Sequence, residues 1–285
     1  MGIQESKKPL FIMCLGAQKA GTSWLFSQIR KHPESAFEHL QLKEAHFFDR
    51  PELSGFRKPH KKIRLFLKSL WLVPPLARAR KRNNWSAYIE TYRTAAVHGA
   101  VGDFTPEYSL LTARQWKIVV AALEPHFDLR FVFLVRDPLE RMESAIRHGL
   151  RSPETGILGR HFREPATAFE WVSRGDLDLA HLAKSNYPKI LHTIAQVIPP
   201  QAILLQHYEA LFSLNSYNCI LEHCGLSPVR EVSSQQRINS SPKTEYDEFN
   251  EAQKERLKEK LAHVYRWADE RWGQEHMRRI WPNHP

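Results

Sequence analysis

Three short stretches carry side chains whose types and spacing could do chemistry together. The first is Gly16-Ala17-Gln18-Lys19-Ala20-Gly21-Thr22-Ser23, in which two glycines frame a lysine and two hydroxyls follow. Main-chain N–H groups of such a loop, and of the helix it opens, bind phosphate. From mid-loop, Lys19 can reach an oxygen bridging a 5'-phosphate to a transferred group, while Thr22 and Ser23 donate to the same phosphate. The second stretch runs from Arg136-Asp137-Pro138 to Ser144. Arg136 and Ser144, two helical turns apart, could grip a second and separate phosphate. The third is Lys43-Glu44-Ala45-His46, with a carboxylate and an imidazole two residues apart. On an extended segment both would face one side, and the unperturbed pKa of an imidazole suits it to take a proton near neutral pH.

The elements that must position these residues can be read from hydrophobic patterning. Leu10 to Leu15 is a short apolar run bounded by Pro9 and Gly16, as expected of a strand buried in a parallel sheet. Thr22 to Lys31 has helical spacing and stops before Pro33. Further strands are expected at Ser35 to Leu40, Ala100 to Phe104, Leu129 to Val135 and Ala202 to Gln206. Helices are expected at Thr112 to Leu123, Leu139 to Leu150, Tyr187 to Val197, most of Tyr208 to Cys224, and Glu251 to Arg271. Lys43 to Arg50, residues 151–165 and Val229 to Thr244 read as loops. Strands alternating with helices imply an α/β fold, a three-layer arrangement with a central parallel sheet and helices on both faces. Ligands in such folds sit at the carboxyl ends of strands, where the phosphate loop, Arg136 and Asp103 all fall. Asp103 either orients an acceptor or Lys19, or caps the turn before Thr105-Pro106.

The loop Gln18-Lys19-Ala20-Gly21-Thr22-Ser23-Trp24-Leu25 resembles the 5'-phosphosulfate loop of sulfotransferases that use 3'-phosphoadenosine-5'-phosphosulfate (PAPS). Val135-Arg136-Asp137-Pro138 through Ser144 resembles their 3'-phosphate element. Lys43 to Asp49 (KEAHFFD) is similar to the acceptor-side segment of the heparan-sulfate and related bacterial branch, and Gly102 to Tyr108 (GDFTPEY) to that branch's G-E-x-[ST]-P-x-Y segment. Four motifs in this order cover roughly the first half of the chain; Tyr187 to Leu211 and Arg237 to Lys243 match more loosely. The resemblance implies a P-loop-like fold and PAPS as co-substrate. Gln18, Lys19, Ala20, Gly21, Thr22, Ser23, Trp24, Arg136, Ser144, Arg237 and Lys243 would bind the nucleotide. Glu44 would be the first candidate for general base and His46 the second, and Glu44, His46 and Asp103 would line the acceptor side. The reaction would be a metal-independent in-line displacement. Phe104 stands where the glycosaminoglycan enzymes often carry lysine, which weighs against a polysaccharide acceptor.

Composition adds bounds. The 285 residues and 42% hydrophobic content suffice for a single large domain spanning 1–285. The net charge of +10 favours anionic partners. Ten Lys and Arg fall between Glu52 and Glu90 with no acidic residue among them, so this interval carries the whole excess. It reads as a basic and apolar insert at about 53–89. Its core, 57–82, is either a helix on an anionic membrane surface or one packed on the protein with solvated lysines. The first option suits a lipid-like or amphipathic acceptor; small-molecule and carbohydrate acceptors are the others. No nucleic-acid motif occurs. Three cysteines without metal-type spacing fit a reducing, cytoplasmic location, and the polar start is too short for a signal peptide. The main alternative is a P-loop small-molecule kinase using ATP and magnesium. It shares the strand-loop-helix start but needs a lysine after the second glycine, where Thr22 stands. A non-catalytic binder of anionic surfaces is a further alternative.

Overall fold

A computed structural model describes residues 8–40, 42–49, 84–151, 165–174, 179–232 and 248–285. Four parallel strands form its sheet: β1 (Leu10–Gly16), β2 (Val101–Asp103), β3 (Asp128–Val135) and β4 (Ile203–His207), in the order β2-β1-β3-β4. β1 and β3 hold the centre, and their apolar runs are buried from Phe11 to Leu15 and from Phe131 to Val135. β1 pairs with β2 on one side and β3 on the other. The chain thus changes direction across the sheet at β1, and a crevice opens at the carboxyl ends of β1 and β3. Gly102 permits the close approach of β2, since a Cβ there would lie 1.9 Å from the Ile12 carbonyl oxygen.

Helices α1 (Thr22–Arg30), α2 (Phe37–Leu40), α3 (Trp85–Ala95), α4 (Ala113–Leu123) and α5 (Pro138–Arg151) occupy the first half. They are followed by α6 (Pro165–Arg174), α7 (Leu179–Ser185), α8 (Tyr187–Ala195), α9 (Leu214–His223), α10 (Glu251–Trp272) and α11 (Gln274–Ile280). Capping boxes start α4 (Thr112 with Gln115) and α10 (Asn250 with Gln253), each satisfying two orphan N–H groups. None of the described helices is long and apolar enough to cross a membrane. α3 begins inside the interval read as an insert and buries Tyr88 and Tyr92.

One expectation is corrected. Ser35 to Leu40 is not a strand: Ser35 makes an isolated bridge to Ala100, and Phe37–Leu40 is a helical turn. Its buried residues are Ala36, Phe37 and Leu40, a one-sided helical set, whereas a strand would have buried alternate positions. Most of Tyr208 to Cys224 is helix as expected, beginning at Leu214, where the Ser213 side chain accepts from the Ser216 N–H. The preceding turns bring Tyr208 and Leu211 against the phosphate loop.

Candidate functional site

The loop after β1 is shaped by its own main-chain bonds. The Ala17 N–H donates to the Leu134 carbonyl at 2.7 Å, tying the loop to β3, and the Ala20 N–H closes a turn onto the Ala17 carbonyl at 3.1 Å. Gly21 caps α1 with φ 91°, and a Cβ there would lie 2.5 Å from Leu211 Cδ2. Backbone conformation and space both demand glycine. The first-turn N–H groups of α1, which no carbonyl of their own helix can satisfy, lie at the mouth of the loop. Lys19 is half-buried with φ 70°. Burial, and then the charges of Arg151, Arg136, Lys43 and Arg147, push its ammonium down to about 8. Such a concentration of cations is an anion site by its electrostatics.

Arg136 directly follows β3 beside this loop. Its Nη1 donates to the Lys19 carbonyl at 3.0 Å, its Nη2 pairs with Glu140 at 2.8 Å, and its guanidinium lies 4.3 Å over the Tyr208 ring. The following turn is pinned by Asp137, which is fully buried. Asp137 accepts from the Leu139 and Glu140 N–H groups as the N-cap of α5, and from the Asn283 main chain and side chain. Arg147 and Arg151 continue the same helix, at sites to which no motif pointed. Their charges reach Lys19.

Lys43 to Asp49 crosses the front of the crevice. Phe47 and Phe48 anchor it in an aromatic cluster: Phe47 lies 4.4 Å from Tyr88 and Phe48 5.3 Å from Trp85, centroid to centroid. Asp103 holds it from beneath. Its carboxylate accepts from the Ala45 N–H (3.2 Å), Thr105 (2.6 Å), Tyr108 (2.8 Å) and Tyr88 (3.1 Å). Burial raises the Asp103 pKa against the pull of these donors. On top, His46 Nδ1 meets Asp49 at 2.7 Å and Nε2 meets Glu44 at 3.2 Å. Burial would lower the His46 pKa, but the two carboxylates overcome it and raise it to about 10. Burial would raise that of Glu44, yet hydrogen bonds from His46 and Lys43, with the Lys43 charge, hold it near 2. At neutral pH the pair is therefore imidazolium and carboxylate. Lys43 ion-pairs with Glu44 and donates to Thr22 Oγ1 at 3.3 Å, joining the segment to α1.

The structure thus brings Gln18, Lys19, Gly21, Thr22, Ser23, Arg136, Glu44 and His46 to one crevice. Ser144 lies half-buried on α5, two turns beyond Arg136. The Trp24 side chain does not face the crevice: it is 1% exposed and packs on Phe212 and Tyr217. Ala20 is likewise core. Asp103 is 0% exposed and lies under the segment rather than on its acceptor face. Arg237, Lys243 and the basic segment 57–82 lie outside the described residues. Lys43, Asp49, Glu107, Lys184, Arg147 and Arg151 escaped sequence reasoning. Of these, Lys43 and Asp49, inside KEAHFFD, and Glu107, inside GDFTPEY, carried a signal that could have found them. Glu44, His46 and Glu107 bring ligand-type atoms within 4.8 Å of one another, but the ammonium groups of Lys43 and Lys184 already sit on the two carboxylates.

No family model matches the chain, and no curated protein matches it. Among solved structures, a sulfotransferase from Alicyclobacillus acidocaldarius superposes with a TM-score of 0.64 at 19% identity, covering 93% of this chain and 95% of the other. The sulfotransferase domain of the Synechococcus PCC 7002 olefin synthase gives a TM-score of 0.42 at 17% identity, over 78% and 76% of the two chains. That of the curacin biosynthetic pathway gives 0.47 at 14%, over 83% and 82%. The first likeness spans nearly the whole of both chains and shows that the fold is that of a sulfotransferase.

Proposed function

We propose that this chain, folded as a sulfotransferase, moves a sulfuryl group from PAPS to a hydroxyl or amine of an acceptor. The observation that carries the reading is the adjacency of two cationic anchors at the carboxyl ends of neighbouring strands. Lys19 stands in the loop after β1, and Arg136, bonded to its carbonyl, stands at the end of β3. A nucleotide phosphorylated at both 3' and 5' positions needs two anchors. The loop N–H groups, Thr22 and Ser23 would hold the 5'-phosphate, and Arg136 with Ser144 the 3'-phosphate. Arg237 and Lys243 would add charge from the late loop.

In the reaction, Glu44 accepts the proton as the acceptor oxygen or nitrogen bonds to sulfur. The sulfur–oxygen bond to the 5'-phosphate breaks in line, and Lys19 stabilises the charge that grows on the leaving oxygen, by analogy with loose phosphoryl transfer. His46, charged between two carboxylates, orients Glu44 and is poorly suited to be the base itself. Lys19 supplies the charge that a divalent ion supplies to ATP enzymes. The charge pattern of 57–82 supports a lipid-like or amphipathic acceptor met at a membrane surface. Liposome flotation with a charge-neutralised segment tests that part, and undiminished binding removes it.

The main test is thermal. Adenosine-3',5'-bisphosphate should raise the unfolding midpoint, since a ligand selective for the native state stabilises it. ATP, with or without magnesium, should do so much less. A larger shift with magnesium and ATP would favour the kinase instead.

A further inference from the structure

We propose that Lys184 is a positioning residue that locks the donor loop to the acceptor side of the crevice, through a closed ring with Gln18 and Glu107. Lys184 Nζ donates to Gln18 Oε1 at 2.9 Å and ion-pairs with Glu107 Oε1 at 3.5 Å. Gln18 Nε2 donates to that same Glu107 oxygen at 2.9 Å. Both ends of the Gln18 amide are therefore held, which fixes the residue just before Lys19, itself in the left-handed region. The ring is partly buried: the Lys184 side chain is 15% exposed and that of Glu107 27%. It sits where a loose surface pair would not, between an element of the donor site and one of the acceptor site. Glu107 lies in the 3-10 turn Pro106–Leu110 after β2, and a carboxylate oxygen of it comes within 4.8 Å of Glu44 and His46 ligand-type atoms.

Lys184 is itself placed by a fork from the donor helix. Arg141 of α5 is fully buried, and its guanidinium donates to Ser185 Oγ at 2.7 Å and to the His181 carbonyl at 2.6 Å. α7 cannot slide without breaking both bonds. One unbroken set of contacts thus runs from α5 through α7 and Lys184 into the phosphate loop and the turn after β2. Its effect is to hold the loop in its anion-accepting shape before a ligand arrives, so that binding does not have to order it.

The inference rests on the donor reading for its consequence but not for its geometry, and the experiment separates the two. Hydrogen exchange of the peptide covering 16–25 needs no ligand. In Lys184→Met, which keeps the stem and removes the charge, its amides should exchange about tenfold faster, with β4 amides unchanged. Lys184→Arg should restore protection. In parallel, the Kd for adenosine-3',5'-bisphosphate should weaken about five- to tenfold in Lys184→Met, and Lys184→Arg should return to within about twofold of wild type. Glu107→Gln, which leaves the lysine in place, should give a smaller loss of protection. Wild-type loop exchange in Lys184→Met overturns the proposal. So does uniform loss of protection across the fold in both Lys184 variants, which would make the lysine a general brace. If exchange responds as expected but wild type fails to bind the bisphosphate, the lock stands and the donor assignment falls.

Discussion

The sharpest quantitative expectation concerns Lys19 and pH. Burial, and then the charges of Arg151, Arg136, Lys43 and Arg147, push its ammonium down to about 8 in the free protein. A bound 5'-phosphate dianion reverses the balance and raises the value well above 8, so binding and protonation are linked. At pH 7 about nine-tenths of the free protein carries the proton, and at pH 9 only about one-tenth. The nucleotide phosphates, with a second pKa near 6, are already about nine-tenths dianionic at pH 7 and change little above it. The Kd for adenosine-3',5'-bisphosphate should therefore weaken about tenfold from pH 7 to pH 9, or roughly 1.4 kcal/mol. Titration calorimetry in two buffers of different ionisation enthalpy should show close to one proton taken up per site at pH 9 and almost none at pH 7. Lys19→Met should bind about ten- to a hundredfold more weakly at pH 7, the cost of a charged hydrogen bond. Its Kd should change less than about twofold between pH 7 and pH 9. If Lys19→Met keeps the wild-type slope, some other group titrates and Lys19 does not face the phosphate.

Three further outcomes are expected. Glu44→Gln should lower the rate of sulfuryl transfer by about 10²–10⁴, the range for a lost general base, while bisphosphate affinity stays within about twofold; this is read with labelled donor and a screened acceptor, and an equal loss of binding would show that Glu44 holds the fold instead. Asp103→Ala should cost about 3 kcal/mol or more in urea unfolding, because four donors lose their only common acceptor inside the core; a loss under about 1 kcal/mol contradicts the role given to it beneath the acceptor segment. His207 is 7% exposed against Trp272, and burial, with His276, lowers its pKa to about 4. Its folded-state value lies below the unfolded one, so it has no effect above about pH 6.5 and destabilises the protein increasingly as pH falls toward 4, by up to about 3 kcal/mol. His207→Phe should remove that part of the acid sensitivity in melts between pH 7 and pH 4, and an unchanged profile assigns it elsewhere.

Local chemistry made part of this protein legible in advance. An apolar run such as Leu10 to Leu15, short and bounded by Pro9 and Gly16, reads as a buried strand. A loop with glycines at 16 and 21 and a lysine at 19 states its affinity for anions without help from distant residues. The parallel sheet follows from strands alternating with helices, since each parallel pair needs a crossover. Glu44 could be named because KEAHFFD resembles a family segment that carries a glutamate there, and His46 because an imidazole titrates near neutral pH.

Other features depended on residues far apart in sequence. Whether Glu44 or His46 carries the proton was open until Asp49 and Lys43 took their places around the pair, because a pKa is set by the charges that surround a group in space. Asp103 reads as a candidate for the acceptor face, yet Tyr88, Tyr108, Thr105 and Ala45 draw it beneath the segment. Trp24 stands inside a binding motif but points into the core, as the spacing of α1 requires once Phe212 and Tyr217 lie against it. The residues 35–40, strand-like in isolation, coil because Phe37 and Leu40 find the same apolar wall. Lys184 has no motif at all, and it acquires meaning only when the Arg141 fork sets α7 against the phosphate loop, a contact that spans 166 positions between Lys184 and Gln18. Such contacts exist only after the sheet has formed, since the crevice is the meeting of two strand ends.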